Sequence, residues 1–324
     1  MLFILAALVC ALPALAAPSG GSPIKPNRTI LFHCMFRSRL TLAHNDYLRS
    51  TPVFDAIDNN VHSVESDLWW DKDAEKFYVA HTAVTIDHSK TFQTVTLDRV
   101  MSVLNGSHGG SAYNAGSAQK FLDAAKGKET SDPDWYSYYA NGFGGVRPIQ
   151  VLVEIKSKDG ETSWPHVVDA FQPFRSKGWL TRYENGKIHY GPLIVVGTGG
   201  TPFDQIAPRT KRDVFWDCSL NSISSTTDID GTKYHFNSTV CPMSSASYID
   251  VAPPYVGLTP PSDNQAKKFR KDIVDAHKIK TTTRFYGVVD WPASAKYNDF
   301  NMLVEQGSDW LNLDDMSDAA KYTP

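Results

Sequence analysis

Two acids two residues apart are the first residues in this chain that suggest chemistry. In "SVESDLWW", a β-strand places alternate side chains on opposite faces. Glu65 and Asp67 therefore share a face with Ser63 and Trp69, while Val64 and Leu68 turn the other way. Two carboxylates pointing together into an interior are unfavourable unless something positive lies between them. A hard divalent cation meets that need, because such ions take several oxygen ligands. "PIQVLVEIKS" repeats the arrangement, with Val151, Val153 and Ile155 on one face and Leu152, Glu154 and Lys156 on the other. Glu154 offers a third metal oxygen, and Lys156 a cation that can hold an anion beside it. The plainer alternative is a pair of solvated strand-tip acids and a structural Glu154–Lys156 ion pair.

Histidines accompany the acids. His44 ends the apolar run "RLTLAHN", and His81 ends "KFYVAHT". Two imidazoles at strand ends beside an acidic cluster suit general acid–base work, one taking a proton from a nucleophile and the other giving one to a leaving oxygen. The other eight histidines have no such context.

These residues need a scaffold, and the chain offers strands alternating with helices. Strand-like runs include "RLTLAHN", "HSVESDLWW", "KFYVAHT", "PIQVLVEIKS", "GPLIVVGTGG", "DVFWDCSL", "SYIDVAP", "TTTRFYGVVDW" and "SDWLNLDD". Between them, "TPVFDAIDNN" predicts a helix with Thr51 as N-cap and Pro52 as its first residue. "TLDRVMSVL", "SAQKFLDAAK", "WPHVVDAFQPF" and "YNDFNMLVEQG" are helical, and "DNQAKKFRKDIVDAHKIK" is amphipathic, with Ala266, Phe269, Ile273 and Ala276 on one face. Alternation implies parallel strands, and about eight units in one chain predict a (β/α)8 barrel over residues 38–324. A doubly wound open sheet is the alternative; "GTGGTP" lacks the order of a dinucleotide fingerprint. The aromatic-rich stretch "DPDWYSYYANGFGG" carries Trp135, Tyr136, Tyr138, Tyr139 and Phe143, which either cover a substrate or pack on the barrel.

The chain has 324 residues, with 42% hydrophobic, 12% aromatic and 21% charged residues and a formal net charge of -3. That composition is globular, and its charge offers nothing to draw nucleic acid. Residues 1–17, "MLFILAALVCALPALAA", read as a secretory signal too short to span a bilayer, and residues 18–37 as a flexible lead-in. Three sequons, at Asn27, Asn105 and Asn237, agree with secretion. Of the cysteines left after the signal, Cys218 and Cys241 close a shorter loop than either does with Cys34, so they are the favoured pair.

Taken in order, "AHNDY", "SVESD", "VAH", "VEIK", "VVGTGGTPFD", "RFYGVVDWP" and "GSDWLNLDD" resemble the fungal altered inheritance of mitochondria protein six family, across about residues 38 to 320. That family lies within the phospholipase-C-like phosphodiesterases, beside glycerophosphodiester phosphodiesterases, phosphatidylinositol-specific phospholipases C and sphingomyelinase-D-type lyases. The resemblance implies a barrel with its site at the strand C-termini. It implies His44 and His81 as the acid–base pair, Glu65, Asp67 and Glu154 as ligands of one Mg²⁺ or Ca²⁺, and Lys156 at the phosphate. Asn45 stands where glycerophosphodiesterases carry Arg, and so resembles the calcium-dependent phospholipases C instead. Arg284, Trp291 and Asp315 fall in the late motifs as rim residues, the first two at the substrate.

The expectation is therefore a secreted, metal-dependent phosphodiesterase acting on a small phosphodiester or lipid headgroup. The attacking group is water or a hydroxyl of the substrate itself, the latter giving a cyclic phosphate. A non-catalytic headgroup-binding barrel is the second class of function. A glycosidase ranks last, because Glu65 and Asp67 sit too close on one strand to flank a sugar bond.

Overall fold

Eight short runs pair side by side in this chain and point the same way. The computed structural model describes residues 40–108, 113–251 and 261–322, all within the compact unit Arg37–Pro324. The signal segment 1–17 and the lead-in 18–37, with Asn27 and Cys34, lie outside the described residues. Eight strands make the core: β1 (Leu40–Ala43), β2 (Ser63–Asp71), β3 (Ile149–Ile155), β4 (Leu193–Gly199), β5 (Val214–Ser219), β6 (Met243–Ser247), β7 (Thr282–Tyr286) and β8 (Trp310–Leu313). Each is parallel to its neighbours, and β1 pairs with both β2 and β8, so the sheet closes into the expected barrel. Outward residues such as Val64, Leu68, Val151 and Val153 are fully buried under the surrounding layer.

That layer is irregular. Helices Gly160–Ala170, Asp263–Lys278 and Ala293–Gln306 cover three crossovers, and Phe269, Ile273 and Ala276 of the amphipathic helix are buried, with Ala266 partly so. The β5–β6 crossover carries instead the antiparallel hairpin Thr226–Ile229/Thr232–His235. A Cys218–Cys241 disulfide, with Cα atoms 5.6 Å apart, ties β5 to the approach of β6 as favoured from loop length.

Three expectations are corrected. "KFYVAHT" contributes no barrel strand: Lys76–Val79 folds back antiparallel on the end of β2. In "SYIDVAP" the strand has already ended at Ser247, and Tyr248–Val251 is a helical turn. The helix after β1 begins at Phe54, not Pro52, because Asp46 accepts a hydrogen bond from the Val53 amide at 2.6 Å and holds that residue at a φ of 66°. Thr51 bonds the Asp55 side chain rather than capping the backbone.

The aromatic stretch takes the second of its two readings and packs on the barrel. Helix Trp135–Asn141 plugs the barrel at the N-terminal ends of its strands, opposite to where His44 and Glu154 lie. Trp135 meets Phe215, at the start of β5, edge-on and donates its indole N–H to the Ser238 carbonyl at 2.6 Å. Tyr139 packs on Trp310, the first residue of β8, and donates its hydroxyl to Gln150 at 2.5 Å. Gln150 in turn donates to Ser63, so the polar atoms of this layer are bonded to one another. Trp135→Ala should remove this plug and cost about 3–5 kcal/mol of unfolding free energy. Urea denaturation followed by circular dichroism measures it; a loss under about 1 kcal/mol would contradict the plug.

Candidate active site

The alternation of β2 and β3 brings the acids together. Glu65 and Asp67 are buried, Glu154 is half-buried, and one oxygen from each lies within 4.8 Å of the others. Asp67 stands in register with Glu154 across the β2–β3 pair. The backbone leaves room for Glu154 only because the next strand has Gly199 at that point. A Cβ there would sit 2.5 Å from Glu154 Cγ.

Each carboxylate has distinct partners. Glu65 Oε1 accepts from Arg284 Nη2 at 2.9 Å, and its Oε2 accepts the Asn45 amide at 3.1 Å. Asp67 Oδ2 accepts the Tyr47 hydroxyl at 2.8 Å and the Lys156 ammonium at 3.2 Å. Lys156 also reaches Glu154 Oε1 at 2.9 Å. Asp67 Oδ1 is buried with no hydrogen-bond partner. A buried carboxylate oxygen left without a donor, beside two more carboxylates, fits an oxygen-seeking divalent cation.

His44 is held by its neighbours. Its Nδ1–H donates to Asp314 Oδ1 at 2.6 Å, while Nε2 lies 3.5 Å from Glu65 Oε2. Burial opposes its charge, but the Asp314 hydrogen bond and the negative charges of Glu65 and Asp314 outweigh it, so its pKa is raised. His81 reaches the cluster from the returning strand, with Nδ1 3.5 Å from Asp67 Oδ2 and more than half its side chain exposed. Trp69 fixes that approach by donating its indole N–H to the carbonyl of Ala80 at 2.8 Å.

The remaining sequence candidates divide. Asn45 adopts a left-handed φ of 48°, which aims its amide at Glu65, and its side-chain oxygen lies 2.8 Å from the Tyr47 hydroxyl. Arg284 is buried and held by Glu65 and by Asn312, whose Oδ1 takes its Nε–H at 2.8 Å; it anchors the cluster from β7. Trp291 is 85% exposed. Asp315 accepts the Ser317 amide at 2.8 Å and caps the turn Met316–Asp318.

Four site residues escaped the sequence reading. Asp314 orients His44, and Tyr47 braces Asp67. Asp217 on β5 and Ser245 on β6 extend the polar lining, with a Thr198 hydroxyl donating to Asp217 Oδ2 at 2.9 Å. Strand alternation from Phe215 to Asp217, and from Asn312 to Asp314, was the available signal.

The mouth is crowded with negative charge: Glu65, Asp67, Glu154, Asp217 and Asp314 face Arg284, Lys156 and His44. Burial and then the Glu65 and Glu154 charges raise the pKa of Asp67 to about 6. Arg284, His44 and the Asn45 amide overcome burial and lower that of Glu65. Burial lifts Asp217 from 3.8 to about 6. As pH rises the unfolded chain releases this last proton first. Asp217's contribution to stability is therefore complete below about pH 4 and is lost as pH climbs through 6. Asp217→Asn cannot ionise and should gain roughly 3 kcal/mol on the wild type between about pH 3.5 and pH 7. Urea denaturation of both proteins in chelator measures this, and a pH-independent difference would contradict it.

Similarity to known proteins runs along most of this chain. The family described as the AIM6-like phosphodiesterase domain matches residues 38–132 and 137–217. The altered inheritance of mitochondria protein 6 homolog of Arthroderma benhamiae is 27% identical over 289 residues, covering 86% of this chain and 82% of that protein. Altered inheritance of mitochondria protein 6 of Kluyveromyces lactis is 24% identical over 311 residues, covering 86% and 71%. The phosphatidylinositol-specific phospholipase C of Listeria monocytogenes aligns over 89% of this chain and 93% of that chain, at 10% identity and a TM-score of 0.35. By the family match over more than half of its length, this chain belongs to the AIM6-like phosphodiesterase domain family.

Proposed function

We propose that the protein is a secreted phosphodiesterase that works with one divalent cation held by Glu65, Asp67 and Glu154. The observation that carries this reading is the unpartnered Asp67 Oδ1 within a cluster of three acids. A phosphodiester is anionic, and a mouth with more carboxylates than cations repels it unless further positive charge is supplied. Mg²⁺ or Ca²⁺ bound there would neutralise a phosphate oxygen and lower the pKa of the attacking hydroxyl.

The chain's own residues do the rest. Asp314 holds the His44 ring so that Nε2 faces the cluster. His81 reaches the cluster through the Trp69–Ala80 bond. One imidazole accepts the proton of the attacking hydroxyl and the other protonates the leaving oxygen. Lys156, beside Asp67 and Glu154, contacts the bound phosphate, and Arg284 keeps Glu65 ionised and in place. The Cys218–Cys241 disulfide and the apolar N-terminal segment support an oxidising, secretory destination, with Asn105 and Asn237 exposed for glycosylation. Among the described residues, no helix is long and apolar enough to cross a membrane.

Purified protein should hydrolyse a soluble chromogenic phosphodiester with Mg²⁺ or Ca²⁺. It should lose activity in chelator and regain it when the cation is restored. His44→Ala should lower kcat by about 10²–10⁴. Full turnover in excess chelator, or normal turnover of the variant, would reject the assignment.

A further inference from the structure

One buried cation, Arg212, has no carboxylate paired with it among the described residues. It closes the short strand Lys211–Arg212, which pairs antiparallel with Arg182–Glu184 outside the barrel, just before β5 begins at Val214. Only 8% of it is exposed. Its guanidinium stacks over the Tyr183 ring, 4.2 Å from the centroid. Nη1 donates to the Arg209 carbonyl at 2.7 Å and Nη2 to the Thr239 carbonyl at 2.6 Å, while Nε is buried with no partner. Burial lowers its pKa from 12.5 to about 10, which still leaves it charged at neutral pH. A charge held out of water in this way is costly unless an opposite charge joins it.

Arg212 lines a cavity of about 380 Å³ between helix Gly160–Ala170 and the segment 205–214. Charge around that cavity does not balance. Arg175 is matched by Asp213, which takes its Nε–H and, at 2.9 Å, its Nη2–H, and Asp169 lies beside them. Arg182 and Lys211 share the single carboxylate of Glu184, at 3.1 Å and 2.8 Å. Arg209 is exposed and has no ion-pair partner among the described residues. Five cations therefore meet three carboxylates, a surplus of two positive charges.

We propose that this cavity binds a phosphate monoester of a small organic molecule. The surplus matches such a ligand, which carries nearly two negative charges at pH 7. Guanidinium groups suit its oxygens, which they meet with paired N–H bonds. Trp164, Val168 and Ile206 line the same cavity and offer an apolar wall to the organic body. The volume is that of a small-molecule site. None of His44, Glu65, Asp67, His81 or Glu154 lines it. The inference therefore goes beyond the phosphodiesterase reading and does not depend on it.

Titration calorimetry of the full chain in chelator tests this, with phenyl phosphate, inorganic phosphate and benzoate as probes. Without a divalent ion the acid-rich mouth repels anions, so the titration reads the cavity. Wild type should bind phenyl phosphate saturably, about tenfold more tightly than either other probe. Arg209→Ala, on the surface, should keep the fold and weaken phenyl phosphate about tenfold, and Arg212→Gln should weaken it at least as much. Lys156→Ala, at the mouth, should bind as wild type does. No saturable binding by about 10 mM phenyl phosphate would overturn the proposal. So would an affinity that Arg209→Ala leaves unchanged, or one that Lys156→Ala abolishes, which would put the anion at the mouth. Inorganic phosphate or benzoate binding as tightly as phenyl phosphate would overturn the assignment of a phosphate monoester.

Discussion

Three carboxylates on two neighbouring strands, close enough for one ion to touch all of them, set the terms for everything around them. Like charges at such separations raise one another's proton affinity, as at Asp67, unless cations offset them. The fold supplies some of that offset. Arg284 crosses from β7 to Glu65, and Lys156 bridges Asp67 and Glu154. These cations are engaged with the acids, and an anionic substrate meets a surplus of carboxylates, which is why an added divalent ion belongs in the proposal.

The two ends of the barrel answer to different demands. At the N-terminal end, aromatic rings pack over a bonded chain from Tyr139 through Gln150 to Ser63. At the mouth, Asp67 Oδ1, Asp217 Oδ1 and Ser245 Oγ stay buried and unpartnered. Natural interiors rarely leave such atoms without donors or acceptors, and where they do the exception marks a place for something else. Ser245 lies near enough to Asp217 to favour its ionised form without completing a hydrogen bond.

The residues readable from sequence were those governed by strand alternation. Glu65, Asp67 and Glu154 declared themselves because a period of two fixes facing without knowledge of the fold. Asp314 obeys the same rule but lies one residue beyond the end of β8, where a turn could as readily have aimed Asp315 inward. His81 was found as a strand end, although its strand is a return stroke outside the barrel and so gave one strand too many. Arg284 was placed at the substrate because a cation in a phosphodiesterase motif suggests phosphate, whereas burial commits it to Glu65. Which end of the barrel the Trp135 helix closes depends on long-range packing that no local pattern encodes.

The measurement that bears most directly on this account is a crystal structure of the protein soaked in Ca²⁺, with anomalous scattering to locate the ion. The account predicts one ion within about 2.3–2.6 Å of an oxygen from each of Glu65, Asp67 and Glu154, with Asp67 Oδ1 among the ligands. An ion bound without Glu154, or no ion at the mouth at saturating concentration, would contradict it.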